Sequence, residues 1–380
     1  MIRKILKYAG ITIAGVIVLV PCSALLYRKY LQYEVVKRRA ITSTNGIDSL
    51  EAVTIGGIKQ WIQTRGQNVN NPILLFIHGG PGIGFIPLSG SFQGSWEQYF
   101  TVVQWDQRGA GKTYASNDQE IQRKTMNVPQ MEQDAVEVMN YVRSRYKRDK
   151  IFVLGHSWGS ILGLWLAHEH PEGIYAYVGT GQVVNMQQND GVSYKDALQK
   201  ARITQNAQAV RDLEGIGPYP FPAGDFRRSS TARFWEGQLL SPPPGTPQFM
   251  DVRRILMNVV SSPDYSLRDD LGFIRGQQLS LGIFLPQMAK VDLTSLGFDY
   301  AEPIFFLEGR NDPFCRPSLV ADYLQEIAAP HKELVWLEKS GHFPFFEEPE
   351  RFKDLLVQRV LPLANASVGS FTANSALTDR

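Results

Sequence analysis

The pentapeptide Gly155-His-Ser-Trp-Gly159 constrains this chain more than any other stretch, because of what flanks it. Ahead of it Ile151-Phe-Val-Leu154 is an apolar run of strand length, and behind it Ile161-Leu-Gly-Leu-Trp-Leu-Ala167 continues as an apolar helix. A strand that passes into a helix over Gly-x-Ser-x-Gly needs a tight backbone reversal, which the glycines permit and which lifts the serine hydroxyl off the sheet edge. Ile73-Leu-Leu-Phe-Ile77, Thr101-Val-Val-Gln-Trp105, Tyr175-Ala-Tyr-Val178, Ile304-Phe-Phe-Leu307 and Leu334-Val-Trp-Leu337 share the length and composition of the first run. Near-continuous apolar strands are buried on both faces, so these segments predict an α/β chain: a parallel sheet covered by helices. One such helix is expected over 131–146, where Met131, Ala135, Val138 and Val142 recur at three- and four-residue spacing. Glu51-Ala-Val-Thr-Ile55 and Lys59-Gln-Trp-Ile-Gln63 alternate instead and read as short strands ahead of the parallel part.

At 380 residues the chain has room for a second lobe beside one core. The strand pattern stops after Gly181 and resumes at Ile304, and the stretch between carries helix-like segments broken by Pro218, Pro220, Pro222 and the run Pro242-Pro-Pro-Gly245. A gap of that length is expected to be an inserted helical cap over 182–302, dividing the core into 31–181 and 303–362. The small polar tail, 363–380, is expected to be disordered, and the sequon at Asn365 carries no weight. At the other end no charge occurs from Tyr8 to Tyr27, with Arg3, Lys4 and Lys7 before the run and Arg28 and Lys29 after it. As a helix rising about 1.5 Å per residue that run spans roughly 30 Å, the depth of a hydrocarbon core. Residues 1–30 are therefore expected to be an uncleaved N-terminal transmembrane helix, a single-pass membrane anchor with the catalytic domain outside the cytoplasm; a cleaved signal peptide is the rival reading.

Lys plus Arg is 39 and Asp plus Glu is 37, which leaves no basic excess for binding nucleic acid. Cys22 and Cys315 are the only cysteines, so a disulfide framework or a multi-cysteine metal site is excluded. Asp106-Gln-Arg-Gly-Ala-Gly-Lys-Thr113 ends like a phosphate-cradling loop, but has Asp106 where glycine is required and no apolar helix after it. Asp106 and Arg108 are expected to steady this loop by charge pairing.

A serine hydroxyl is a weak nucleophile until a base takes its proton, so Ser157 demands a histidine and an orienting carboxylate downstream. His342, in the loop Ser340-Gly-His-Phe-Pro344 after the last expected strand, is the base; Asp312, in the turn-rich Gly309-Arg-Asn-Asp-Pro313 after the preceding strand, is the acid, with Glu308 as its competitor. The oxyanion formed on attack needs two donors. The backbone N–H of Trp158 is one, and His78-Gly-Gly-Pro-Gly82 supplies the other from Gly80, with Gly79 second; His78 itself is expected to brace that loop.

Taken together, His78-Gly-Gly-Pro-Gly, Asp106-Gln-Arg-Gly-x-Gly, Gly-His-Ser157-Trp-Gly-Ser, Gly-Arg-Asn-Asp312 and Gly-His342 resemble the proline iminopeptidases over roughly residues 50–360. The resemblance implies an α/β-hydrolase fold with a helical cap, no metal or cofactor, and release of an N-terminal residue, typically proline, from short peptides. It also implies that Trp235-Glu236-Gly237 presents Glu236 to the substrate's amino group; the other acids of the insert are Asp212, Glu214, Asp225, Asp251, Asp269 and Asp270. His156 departs from the family, which tends to have glycine there. Two alternatives stay open: a carboxylesterase using the same three residues near the membrane, and a non-catalytic binding protein.

Overall fold

Apolar residues alternate between the two faces of a strand, and a sheet buried on both sides must meet an apolar layer on each. The structure, a computed structural model, describes residues 2–222, 225–242, 246 and 251–364, with side chains of the first helix described at Tyr8, Gly15 and from Ile17 onward. The tail expected to be disordered and its sequon at Asn365 lie outside the described residues, apart from 363–364.

Eight strands form one sheet: β1 Ile47–Ile55, β2 Ile58–Gly66, β3 Ile73–Ile77, β4 Thr101–Asp106, β5 Ile151–His156, β6 Ile174–Thr180, β7 Ile304–Gly309 and β8 Lys332–Leu337. Their order is β1-β2-β4-β3-β5-β6-β7-β8, antiparallel at β1/β2 and β2/β4 and parallel elsewhere. Along β3, Ile73, Leu75 and Ile77 face a core shared with Met131, Ala135, Val138, Ile161 and Leu162. Leu74 and Phe76 face the opposite core, built around Trp96, Phe345 and Phe352.

The helices are α1 Ile2–Arg38, α2 Gly111–Ser116, α3 Gln119–Thr125, α4 Val128–Tyr146, α5 Trp158–Glu169, α6 Met186–Ile203, α7 Ala207–Gly215, α8 Phe226–Leu240, α9 Val252–Ser261, α10 Leu267–Met288, α11 Pro317–Glu326, α12 Pro344–Glu347 and α13 Pro349–Leu355. α4 starts three residues earlier than its periodicity suggests. Asn127 caps it by accepting from Gln130 N, and Pro129 is tolerated in the first turn, where no N–H is needed.

Between β6 and β7 the chain is helical, α6 to α10. α6, α7 and α8 share a small core of Tyr194, Ala197, Ala209, Leu213 and Ala232. α10 lies on α2 and on the loop after β4, where Ser280 Oγ donates to Gly109 O at 3.0 Å and Lys112 Nζ meets Asp269 at 2.8 Å. The phosphate-loop lookalike is thus the seat of α10. Its charges pair differently from the expectation: Arg108 donates to both oxygens of Asp134 on α4 (2.9 and 3.1 Å), and Asp106 takes the Tyr265 hydroxyl and Lys112 N.

The expected transmembrane helix is overturned. Among the described residues no helix is long and apolar enough to cross a membrane, so the single-pass anchor, the membrane as partner and the location built on them are withdrawn. The basic pair that seemed to end a span lies well inside α1, which runs on to Arg38. Residues 17–27 are exposed, whereas Arg28 and Gln32 are buried against the insert. Arg28 donates to Val260 O at 3.0 Å and to Tyr265 O and Asp270 Oδ2 at 2.9 Å; Gln32 donates to Ser262 O at 2.8 Å. A charge read as a boundary is instead a docking contact to residues more than 200 positions away.

Candidate active site

The turn after β5 works because two backbones come together there. A Cβ on Gly159 would lie 2.0 Å from Ile77 O, so only glycine lets the start of α5 pass the end of β3. Ser157 itself sits at φ +53°, a conformation L residues rarely adopt, held by its N–H to Thr180 O and by Ser160 Oγ on its carbonyl.

The loops after β7 and β8 reach the same point. The Ser157 hydroxyl donates to His342 Nε2 at 2.9 Å, and His342 Nδ1 donates to Asp312 Oδ2 at 2.8 Å. Asp312 is fully buried, and its Oδ1 accepts the N–H groups of Phe314 and Cys315 at 2.7 and 2.9 Å. Glu308, the competing acid, is buried instead behind the loop after β6, accepting from Gln182 N at 3.1 Å. Burial, reinforced by the charge on Asp312, pushes its carboxyl well above the usual range.

Trp158 begins α5, so its backbone N–H has no intrahelical partner. Gly80 lies across the pocket at φ +131°, which glycine alone adopts readily, and both Gly79 and Gly80 line the pocket. His78 lies behind them, with Nδ1 on Gly79 O at 2.8 Å; burial lowers it to about 4. Gln107 ties the three segments together: its amide donates to His78 O, and its carbonyl oxygen accepts the Trp158 indole N–H, both at 2.9 Å.

His156 has a use that the sequence did not disclose. Its Nε2–H donates to His342 O at 2.8 Å, while the buried Nδ1 faces Gly79 without a hydrogen-bond partner among the described residues. Burial, then the neighbouring His342, lowers it well below the ordinary histidine value, so it acts as a neutral donor that steadies the His342 backbone.

The pocket over Ser157 holds about 210 Å³ and is mostly apolar, walled by Ile83, Val183, Leu281, Leu285 and Phe314 among others. Cys315 also lines it, with a thiol that burial holds well above its usual range. Asp312, Cys315 and His342 offer metal-ligating atoms within 4.8 Å of one another, but Asp312 and His342 are engaged with each other and His342 with Ser157, and burial disfavours the thiolate a metal would take.

Glu236 is buried, 3% exposed, beside Arg233 at the pocket. Burial pushes its carboxyl up to about 8 despite nearby Arg233. One turn earlier on α8, Arg233 does line the pocket and meets Asp190 at 3.1 Å. The other acids of the insert serve structure. Asp225 and Asp251 cap helices, and Asp212 accepts the Trp235 indole N–H. Glu214 pairs with Arg202, Asp269 with Lys112 and Asp270 with Arg28. No sequence signal distinguished Arg233 from a solvated helix arginine; Gln277, Leu281 and Leu285, at four-residue spacing on α10, could have been read as a pocket-facing stripe.

This architecture and the turn at Ser157 define a class. Residues 72–349 match the alpha/beta hydrolase fold family, and the chain belongs to it. It is similar to the probable aminopeptidase YbaC of Bacillus subtilis (strain 168), 28% identical over 83% of this chain and 97% of that protein. Among solved structures, proline iminopeptidase from Mycobacterium smegmatis superposes with a TM-score of 0.59 at 18% identity, covering 84% of this chain and 100% of that one. A bacterial membrane phospholipase A superposes at 0.57, also at 18% identity, over 96% and 100%. The chain is a hydrolase of the proline iminopeptidase-like kind.

Proposed function

We propose that this hydrolase is a serine aminopeptidase that releases an N-terminal residue from short peptides. The observation that carries the reading is the unbroken hydrogen-bond chain from Ser157 through His342 to Asp312 at the floor of a pocket. In the first step His342 Nε2 takes the Ser157 proton as Oγ bonds to the scissile carbonyl carbon, and Asp312 stabilises the imidazolium. The oxyanion is received by the N–H groups of Trp158 and Gly80. His342 then returns the proton to the departing amine as the C–N bond breaks, and a water, deprotonated by the same imidazole, hydrolyses the acyl-enzyme. An ammonium entering a mostly apolar pocket needs a counter-charge; Glu236 and Asp190 stand beside the wall to supply it, Glu236 losing its proton as the ammonium arrives. The relative named an aminopeptidase, matched over nearly its whole length, supports this substrate class.

A second reading, a carboxylesterase, is favoured by the apolar wall, on which the fixed charge is cationic. Labelling with a fluorophosphonate, followed by turnover of free-amine amides, N-blocked amides and acyl esters, tests both. Labelling at Ser157 with preference for free amines is expected. Preference for esters or blocked amides transfers the assignment to the esterase, and an unlabelled Ser157 in folded protein ends both readings.

A further inference from the structure

Among the described residues lining the pocket over Ser157, Arg233 is the one with a fixed charge. A guanidinium carries five N–H donors in a planar fork matched to a carboxylate. Asp190 Oδ1 accepts one of them at 3.1 Å, and no other acceptor engages the fork among the described residues. The side chain is about one-third exposed, so it stands at the wall without being sealed into it. Around it the lining is apolar, which strengthens any charge-assisted bond made there.

We infer that Arg233 determines specificity by gripping a carboxylate on the acyl part of the substrate. A volume of about 210 Å³ has room for roughly one residue, so the carboxylate sits within a side chain's length of the scissile carbonyl. For a peptide this means an acidic N-terminal residue; for an ester, the half-ester of a dicarboxylic acid. The inference rests on the hydrolase reading above and is independent of whether an amide or an ester is cleaved.

The local charge balance is compatible with an incoming anion. Asp190, Tyr219, Glu236 and Cys315 face Arg233, and Arg316 faces Glu236 as a second cation. Burial first keeps Glu236 protonated up to about 8, Tyr219 up to about 12 and the Cys315 thiol well above its usual range, so near pH 7 the anions beside the guanidinium reduce to Asp190. Raising the pH through about 8 ionises Glu236 and sets a second carboxylate against the bound one. For the ester, which brings no ammonium to ionise Glu236 earlier, preference for the acidic substrate should therefore decline there.

The test compares matched pairs on a single enzyme preparation, so that the active fraction cancels. The pairs are the p-nitrophenyl monoester of glutaric acid against p-nitrophenyl pentanoate, and α-glutamyl p-nitroanilide against its glutaminyl analogue. In the wild type the kcat/KM ratio, acidic over neutral, should be about tenfold or more for at least one pair at pH 7, and for the ester pair it should fall above pH 8. It should approach one in Arg233→Met and be partly restored in Arg233→Lys. The pair that responds tells which source of carboxylate the pocket takes. A wild-type ratio of one or below, or a high ratio that survives Arg233→Met, overturns the inference while leaving the hydrolase intact. Absence of both turnover and fluorophosphonate labelling brings down the hydrolase reading and this one with it.

Discussion

The edge of the sheet and the helical insert above it hold their polar groups in different ways. At the sheet edge Ser157, Asp312 and His342 follow β5, β7 and β8, and a bond that involves backbone steadies each: the Ser157 N–H donates to Thr180 O, Asp312 accepts the N–H groups of Phe314 and Cys315, and the His342 carbonyl accepts from the His156 side chain. In the insert the charged groups nearest the pocket are held by side-chain pairs, Arg233 with Asp190 and, farther out, Trp235 with Asp212, whose partners are partly exposed. Backbone anchors leave little freedom, so the reacting groups keep one geometry. Helix-borne pairs can be exchanged without disturbing the sheet, which lets one chemistry serve many substrates.

Several substitutions probe that contrast, beginning with the largest effect. Ser157→Ala should lower kcat by several orders of magnitude, and adding His342→Ala should cost little more, because residues acting as one unit do not multiply their losses. Independent, multiplying losses in steady-state kinetics would show that the sheet-edge groups do not act together. Next, Gly159→Ala forces a Cβ to 2.0 Å from Ile77 O and should destabilise the fold by about 3 kcal/mol or more, whereas Gly215→Ala at the end of α7 meets nothing within 4 Å and should be neutral or stabilising. Denaturant midpoints measure both; equal losses would erase the distinction between the regions.

Arg28→Ala tests the tie between α1 and the insert. Losing a buried guanidinium with three hydrogen bonds should cost about 2–3 kcal/mol in urea unfolding, with kcat changed less than about twofold. An unchanged midpoint would mean that α1 contributes nothing to the fold.

The smallest effect is on pH. Burial raises Asp106, Glu302 and Glu347 to about 7 and Glu236 to about 8. Among the described residues one oxygen of Asp106 is buried without a hydrogen-bond partner, as suits a protonated group. Such carboxyls bind protons in the folded chain over a range where the unfolded chain has released them. Stability is therefore greatest near and below the ordinary carboxylate range and declines as pH rises through 7 to 8. Melting temperature should fall between pH 5.5 and 8.5, and Glu236→Gln should flatten the upper part of that decline. A melting temperature that rises with pH would contradict the direction assigned to all four groups.

What local windows determine about this chain is the set of strands, the turn at Ser157 and the order in which a serine, an acid and a histidine follow parallel strands. Apolar period and glycine placement are properties of a few consecutive residues, so they are legible without a partner. Only the tertiary structure decided what the charges meet. Arg28, which looks like the end of an apolar run, docks beside Tyr265 and Asp270; Arg108 finds Asp134 and not Asp106; His156, written next to Ser157, holds a carbonyl 186 residues away. Arg233 lines the pocket and Glu236, three residues on along the same face of α8, is buried beside it, and nothing in Arg-Phe-Trp-Glu states how far either reaches. An ion pair or a docking contact depends on which surfaces come together across long separations, and that is a property of the assembled fold and not of any window of sequence.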